Sequence, residues 1–395
     1  MPLLTNSLLS SENPDISVVI PCLNEEDTLG ACLKKLETVA KNASYSIEVI
    51  VADNGSLDNS IAIASKFNAR VVDVARKGYG AALMGGIEKA KAPFVLMADA
   101  DDSYDFLELP KFFQKLTEGF DLVQGCRLPK GGGKIAKGAM PWSHRHIGNP
   151  FFTSLVRSWF NSPINDVYCG MRAFKKSFYD SLKMRCTGME FATEMIIKAA
   201  NYGAKTVEVP ITLHKDGRIQ HPPHLRTIRD GWKTLQFFLI CAPSKLFLLP
   251  GLMMCSIGIT GNIFGYLSYS LGPITFGAHT MLGSSLFIVS GFQAVLMHLL
   301  SLDLCQKLGM RNSEKNTFIN RLFSSQPGKI CLFLLLSGIF LWAKVFLSWQ
   351  STAFGTLDYA CTMKIIIPGA TLISLSFELL IFTLFRSWIK MEINH

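Results

Sequence analysis

Four apolar stretches in the second half of the chain constrain its fold more than any other feature. They are Leu246–Leu271, Phe276–Leu302, Ile330–Trp349 and Ile365–Phe385, and the first two contain no Lys, Arg, Asp or Glu. A helix needs roughly 20 residues to cross a bilayer, so the sequence predicts four transmembrane helices within residues 244–390. Connecting segments set the expected orientation. Asp303–Lys329 carries Lys307, Arg311, Lys315, Arg321 and Lys329, with Lys245, Arg386 and Lys390 flanking, whereas Gly272–Thr275 and Gln350–Met363 hold no Lys or Arg. Under the positive-inside rule both termini and the long loop are expected in the cytosol. Residues 1–14 have neither a basic cluster nor an apolar core, the pattern of a tail rather than a signal peptide. Lys344 and Glu378 are charged residues within the spans; such groups snorkel, pair structurally or mark function. Glu378 lies nearer the depth of His298.

The first half has another character. Ten cysteines are scattered singly, with no Cys-x-x-Cys pair and no His cluster at metal spacing, which points to reduced thiols. Short β-branched runs end in polar residues and alternate with helical patterns. Ile16–Ile20 leads to Asn24-Glu25-Glu26, Ile47–Ala52 to Asp53-Asn54-Gly55, Arg70–Val74 to Lys77-Gly78, and Phe94–Ala98 to Asp99-Ala100-Asp101. This alternation predicts an α/β domain over residues 15–220 with a mostly parallel sheet. Ligands of such sheets bind at the carboxyl ends of the strands, where Asn24, Glu25, Asp53, Lys77, Asp99 and Asp101 all fall. Asn24 and Asp53 alone could equally cap helices. Gly78 and Gly80 resemble part of a dinucleotide fingerprint but follow the third strand and lack its third glycine. Asp99 and Asp101 are the most informative pair. Alternate side chains of an extended segment share a side, so both carboxylates can hold one Mg2+ or Mn2+ that bridges a diphosphate.

These motifs resemble the family 2 glycosyltransferases, in particular the dolichyl-phosphate mannose synthase-like branch of polyprenyl-phosphate glycosyltransferases with transmembrane tails. The matching stretches include Val19–Glu26, Asp53–Asp58, Lys77–Ala82, Asp99–Asp101, Gly125–Arg127, Asp166–Arg172, Gly188–Glu194 and Val207–Ile211. The resemblance implies the nucleotide-sugar fold called GT-A. It implies that Pro21, Asn24, Glu25 and Asp53 hold the nucleoside, that Lys77 and Gly78 approach base or phosphate, and that Asp99 and Asp101 bind metal. Arg127 would contact the diphosphate or the acceptor phosphate. Ser103 stands where the branch often has Gln, and is the expected third metal ligand; Cys126 replaces a small hydroxyl residue.

The acceptor is read from charge. The chain carries a formal net charge of +9, which suits nucleic acid, a membrane surface or a phosphorylated substrate, and its distribution decides. Gly125–Phe160 holds Arg127, Lys130, Lys134, Lys137, Arg145 and Arg157 without an acid, around an apolar stripe of Phe151, Phe152, Leu155, Val156, Trp159 and Phe160. A second such helix is expected over residues 221–243, with Leu225, Ile228, Trp232, Leu235 and Leu239 opposite Arg226, Arg229 and Lys233. Cations opposite apolar side chains make interfacial helices. This excludes nucleic acid as a partner and favours membrane lipid. Arg218, Arg226 and Arg229 are candidates for the acceptor phosphate, or for general attraction to anionic headgroups. A phosphate monoester is already largely ionised at neutral pH and needs little help from a base; Asp166 is the best carboxylate to orient it, or is simply a turn residue, with Glu190 and Glu194 behind it. A single displacement would invert the anomeric centre.

The sequence thus predicts an integral membrane enzyme that moves a sugar from a nucleotide-diphosphate donor to a polyprenyl phosphate at the cytosolic leaflet, with its transmembrane helices offering a surface for self-association. A processive polysaccharide synthase would want a Gln-x-x-Arg-Trp motif, which the sequence lacks. A catalytically silent scaffold for a flippase or partner transferase would not need Asp53, Asp99 and Asp101 together.

Overall fold

In the computed structural model, which describes residues 12–218, 227–310 and 318–391, the β-branched runs of the first half become neighbouring strands. The elements follow as β1 Ile16–Cys22, α1 Leu29–Asn42, β2 Ile47–Asp53, α2 Ser60–Lys66, β3 Arg70–Asp73, α3 Tyr79–Lys89, β4 Phe94–Met97, α4 Leu109–Thr117 and β5 Leu122–Cys126. They continue as β6 Lys134–Ile135, α5 Asn149–Phe160, β7 Arg172–Lys175, α6 Lys176–Leu182, α7 Phe191–Asn201, β8 Thr206–Pro210, β9 Thr212–Leu213 and α8 Thr227–Cys241. The large sheet has the order β3-β2-β1-β4-β7-β5-β8. Its strands are parallel except β7, which runs against both β4 and β5.

Hydrophobic burial explains the order. β2 is buried along its whole length and β1 nearly so, because Ile, Val and Ala face helices on both sides, as central parallel strands require. α1 meets the sheet through Leu29, Cys32, Leu33 and Leu36, spaced for one helical face. β1 has β2 on one side and β4 on the other, so the loops after β1 and β4 diverge and open a crevice at their carboxyl ends.

The predicted interfacial segments are partly corrected. α5 buries Val156 and Phe160, and Phe152 and Phe160 lie against Phe238 of α8, with centroids 5.8 and 6.2 Å apart. Much of the stripe is therefore internal packing, while Phe151 and Trp232 remain exposed. The compact unit runs to Phe238, so most of α8 belongs with the α/β core rather than forming a separate element. Arg226 lies outside the described residues; Arg229 falls within α8, but its side chain is outside them.

The second unit comprises Leu239–Leu308 and Asn312–His395. Among the described residues, four of its helices are long and apolar enough to cross a membrane: Ser244–Tyr266, Ala278–Lys307, Pro327–Ser351 and Tyr359–Ile389. The first contains α9 (Leu249–Tyr266); α10 (Ala278–Lys307), a short α11 (Phe318–Ser325), α12 (Pro327–Ser351) and α13 (Tyr359–Met391) follow. The first predicted span ran five residues too far, because Ser270–Leu271 and Ile274–Thr275 form a small apolar hairpin that composition does not separate from helix. Arg386, one of the basic flanks, is buried, donating to Asp303 at 2.7 and 3.2 Å and to Asn320 at 2.6 Å. Lys344 is exposed on α12, whereas Glu378 is half-buried on α13.

Candidate active site

The polar strand ends form two adjoining clusters at the carboxyl edge of the sheet. The first is built around β2. Asp53 accepts the backbone N–H groups of Gly55 (2.9 Å) and Ser56 (3.2 Å), which turns the chain sharply after the strand. Asn54 ties three segments together: its amide donates to Val74 O at 2.9 Å and Arg76 O at 2.8 Å, and its Oδ1 accepts the N–H of Gly78 at 2.8 Å. Lys77 Nζ donates to the Asn54 carbonyl at 2.6 Å. Asn24, at φ 57°, accepts the N–H of Leu57 at 2.8 Å and donates its own to Ser56 Oγ at 3.0 Å. Asn24 and Asp53 thus organise loops rather than cap helices. Pro21, opposite Ala52 in the register, completes this edge.

Gly78 is required by the fold itself. A side chain there would meet the Thr187 carbonyl at 2.3 Å, and its φ is +129°. The bare Cα admits the loop around Thr187, and the next turn bonds that same carbonyl through the N–H of Ala81.

The second cluster follows β4. Asp99 Oδ1 accepts a hydrogen bond from the Tyr79 hydroxyl at 2.8 Å. Its Oδ2 faces Gly170, where an added Cβ would come within 2.6 Å. Burial, and then the neighbouring Asp101 charge, push the Asp99 carboxyl up to about 6. Asp101 Oδ1 accepts from Ser103 N at 3.0 Å and Ser103 Oγ at 2.6 Å. Ser103 is buried and bonded to Asp101, so it holds the orientation of that carboxylate. Glu25 is buried across the crevice, and burial raises its carboxyl to about 7, with Arg218 opposing and Asp101 adding to the rise.

Arg218 joins these acids. Its guanidinium lies 3.2 Å from Glu25, 3.4 Å from Asp101 and 2.6 Å from Asp216. The backbone leading to it is stitched onto the Asp101 loop, with His214 N donating to Ser103 O at 2.8 Å and Gly217 N to Asp101 O at 3.0 Å. Arg218 was expected on a phosphate; here its partners are carboxylates, and it supplies the positive charge at their centre.

Arg127 and Asp166 stand together, but not as expected. Arg127 Nε and Nη2 donate to the two Asp166 oxygens at 2.7 and 2.8 Å, and the Arg127 N–H donates to Oδ2 at 2.9 Å. Asp166 is fully buried. A carboxylate with both oxygens bound to one guanidinium is poorly placed to take a proton, so its geometry is that of a positioning residue. Arg127 Nη1 approaches the Tyr104 hydroxyl at 3.4 Å, which accepts the Gly170 N–H at 2.7 Å. Glu194 is likewise buried in a pair with Lys198 at 2.7 Å. Sequence reasoning missed the roles of Asn54, Tyr79, Tyr104 and Gly170, although three of the four stand inside motifs it singled out.

The acidic cluster fits a divalent cation by its donor set. Asp99 and Asp101 offer hard oxygen donors on one loop, their proximity already favours a positive partner, and Arg218 supplies one. Among the described residues no group of three His, Cys, Asp or Glu side chains gathers as a metal site. Two carboxylates with the remaining ligands from a diphosphate and water is a common arrangement for Mg2+.

Both halves of the chain are similar to known proteins. Residues 17–183 match the model of glycosyl transferase family 2, and residues 307–390 that of the glycosyltransferase family 2 C-terminal transmembrane region. The chain is 33% identical over 362 residues to the low-salt glycan biosynthesis hexosyltransferase Agl6 of Haloferax volcanii, covering 89% of this chain and 85% of that one. It is 32% identical over 198 residues to a dolichyl-phosphate hexose transferase of the same organism, covering 50% and 82%. An undecaprenyl-phosphate 4-deoxy-4-formamido-L-arabinose transferase of Pseudomonas fluorescens is 26% identical over 329 residues, covering 79% and 91%. Among solved structures, glucosyl-3-phosphoglycerate synthase of Mycobacterium tuberculosis has a TM-score of 0.46 at 20% identity, covering 57% of this chain and 79% of that one.

Proposed function

This chain belongs to the family 2 glycosyltransferases and is an integral membrane protein, and from that premise we propose that it transfers a sugar from a nucleotide-diphosphate donor to a polyprenyl phosphate at the cytosolic leaflet. The observation that carries this reading is the position of Arg218. It touches Glu25 and Asp101 on the donor side, and it lies nine residues before α8 begins. One residue thus links the strand-end acids to the segment that leads to the membrane unit. The relatives named for dolichyl-phosphate and undecaprenyl-phosphate transfer support the same acceptor class.

The chain's own groups divide the work. The turns set by Asp53 and Asn54 hold the donor's nucleoside against the edge of β2. Asp99 and Asp101 would hold Mg2+ or Mn2+, which when bound neutralises charge on the departing diphosphate. Tyr79 fixes the rotamer of Asp99, and Ser103 that of Asp101. Arg127, held by Asp166, presents a fixed cation toward Tyr104 and the crevice. When a donor enters, its phosphates compete with Glu25 and Asp101 for Arg218, which is then free to pair with phosphate in a bidentate fork. The acceptor is an ionised monoester, so catalysis rests on positioning and charge stabilisation rather than on a strong base. Displacement from the face opposite the leaving diphosphate inverts the anomeric centre.

The test is a transfer assay with the full-length protein in membranes, a panel of radiolabelled nucleotide sugars and a short-chain polyprenyl phosphate. Label is expected in the lipid phase with at least one donor and divalent cation. No lipid-borne product with any donor would refute the reading and favour a silent scaffold.

A further inference from the structure

Arg172 opens β7, opposite Met97 of β4 and Gln124 of β5, and is fully buried there. Among the described residues it forms no ion pair. Asp166, an acid whose charge reaches it, has both oxygens on Arg127. The Arg172 guanidinium bonds main-chain carbonyls instead. Nε donates to Cys169 O at 3.0 Å, Nη2 to Val167 O at 2.9 Å and Nη1 to Ala192 O. A buried cation without a carboxylate opposite it is costly, and an apolar side chain of that volume would fill the space without the cost. The charge is therefore tied to what the three carbonyls hold in place.

Those carbonyls belong to two chain segments, and each segment ends on a different oxygen of Asp99. Val167 and Cys169 lie in the loop 165–170. There Asp166 grips Arg127, and Gly170 stands against Asp99 Oδ2, which an added Cβ would approach to 2.6 Å. Ala192 lies in the first turn of α7. The loop entering that turn rests on α3: the Thr187 carbonyl accepts the Ala81 N–H at 3.0 Å, and the carbonyls of Cys186 and Gly188 fill the place of a side chain on Gly80. Gly80 follows Tyr79, whose hydroxyl donates to Asp99 Oδ1 at 2.8 Å. One guanidinium thus joins the segment beside Oδ2 to the segment that seats the donor to Oδ1.

We infer that Arg172 is a positioning residue of the transfer site, whose planar fork locks the loop 165–170 to the first turn of α7 and so fixes Asp99 and Arg127 in one geometry. A lysine would keep the charge but bond as a single point, without a fork that reaches two segments at once. The kinetic half of the test rests on the transfer reading above; the exchange half rests on the fold alone.

Full-length Arg172→Lys and the parent are compared by transfer assay in membranes, by thermal melt, and by hydrogen exchange with mass spectrometry in detergent. The variant should lose about 100-fold in kcat, the scale of a small misplacement of reacting groups. Its donor KM should stay within about threefold, because the β2 platform that meets the nucleoside is not touched. Exchange of the Gly170 amide, which donates to the Tyr104 hydroxyl, and of the Glu194 amide, which donates to the Glu190 carbonyl, should rise together by at least about tenfold as both segments open locally. Amides of β1 and β2 should keep the parental rate. A merely structural residue would instead lower the melting temperature and speed exchange across the whole sheet, with donor KM and kcat unchanged in the folded fraction. That pattern, faster exchange in only one of the two segments, or a kcat within about twofold of the parent, overturns the proposal. If the parent forms no lipid-borne product with any donor, the transfer reading fails, and the exchange comparison still decides whether Arg172 couples the two segments.

Discussion

The two clusters at the sheet edge are built on opposite principles. Around β2, polar groups are matched: Asn54 alone satisfies two carbonyls and one N–H, and Asp53 satisfies two more N–H groups. Around β4, like charges are held near one another, and the carboxyls of Asp99 and Glu25 are pushed up to about 6 and 7. The first arrangement is complete without a ligand. The second sets burial and mutual repulsion against charge, with Arg218 as the balancing cation. A matched cluster makes a rigid platform, whereas a strained one favours whatever brings positive charge, and perturbed carboxyls gather at functional sites for that reason.

The comparison breaks most sharply at Asp99 and Asp101. Asp99→Asn with Asp101→Asn removes the charge without removing the bonds from Tyr79 and Ser103, and transfer should fall at least about 1,000-fold while the melting temperature holds or rises. The lipid-phase assay and a thermal melt on one preparation check both halves. A fall in activity under tenfold would mean that the strained cluster is not the reaction centre.

Next comes the buried pair that connects the clusters to the rest of the fold. Asp166→Asn leaves Arg127 charged, buried and half-bonded, which typically costs about 3–5 kcal/mol. Denaturant unfolding of the full-length protein in detergent measures it. If Asp166 instead served as a base, its loss would flatten the pH profile of transfer at little cost in stability. Asn54→Ala should act more mildly. It strands two carbonyls and one N–H at about 1 kcal/mol apiece, and it should raise the donor KM about tenfold with kcat nearly unchanged, because a loosened platform weakens binding before chemistry.

Much of this layout was legible in the sequence, for identifiable reasons. β-branched runs ending in polar residues disclose parallel strands, and the strand-end rule then places Asp53, Asp99 and Asp101 without further help. Roles that depend on a distant partner were not legible. Tyr79 reaches Asp99 across 20 residues of chain, and Arg127 reaches Asp166 across 39, distances over which no local periodicity carries information. The need for glycine at position 78 was hidden for a related reason, since the Thr187 carbonyl that a side chain there would meet lies more than a hundred residues later. The ion pair of Arg386 was equally hidden, because its partner, Asp303, lies 83 residues earlier on another helix.

Glu25 sharpens the comparison with the smallest effect, since it tests strain without touching the proposed metal ligands. Its carboxyl shifts from an ordinary value of 4.5 to about 7 in the fold, through burial above all. Between those values the folded chain binds more protons than the unfolded one, so this group's contribution to stability declines as pH rises from about 4.5 to about 7 and stays low above that. Glu25→Gln keeps the shape and removes the titration. The variant should melt at the same temperature as the parent near pH 4.5 and a few degrees higher at pH 8, with the gap opening across that window. Loss of the Arg218 contact works in the other direction, and a variant that melts lower at pH 8 would mean that the ion pair outweighs burial. The carboxylate cluster would then be matched after all, and the contrast with the β2 platform would disappear.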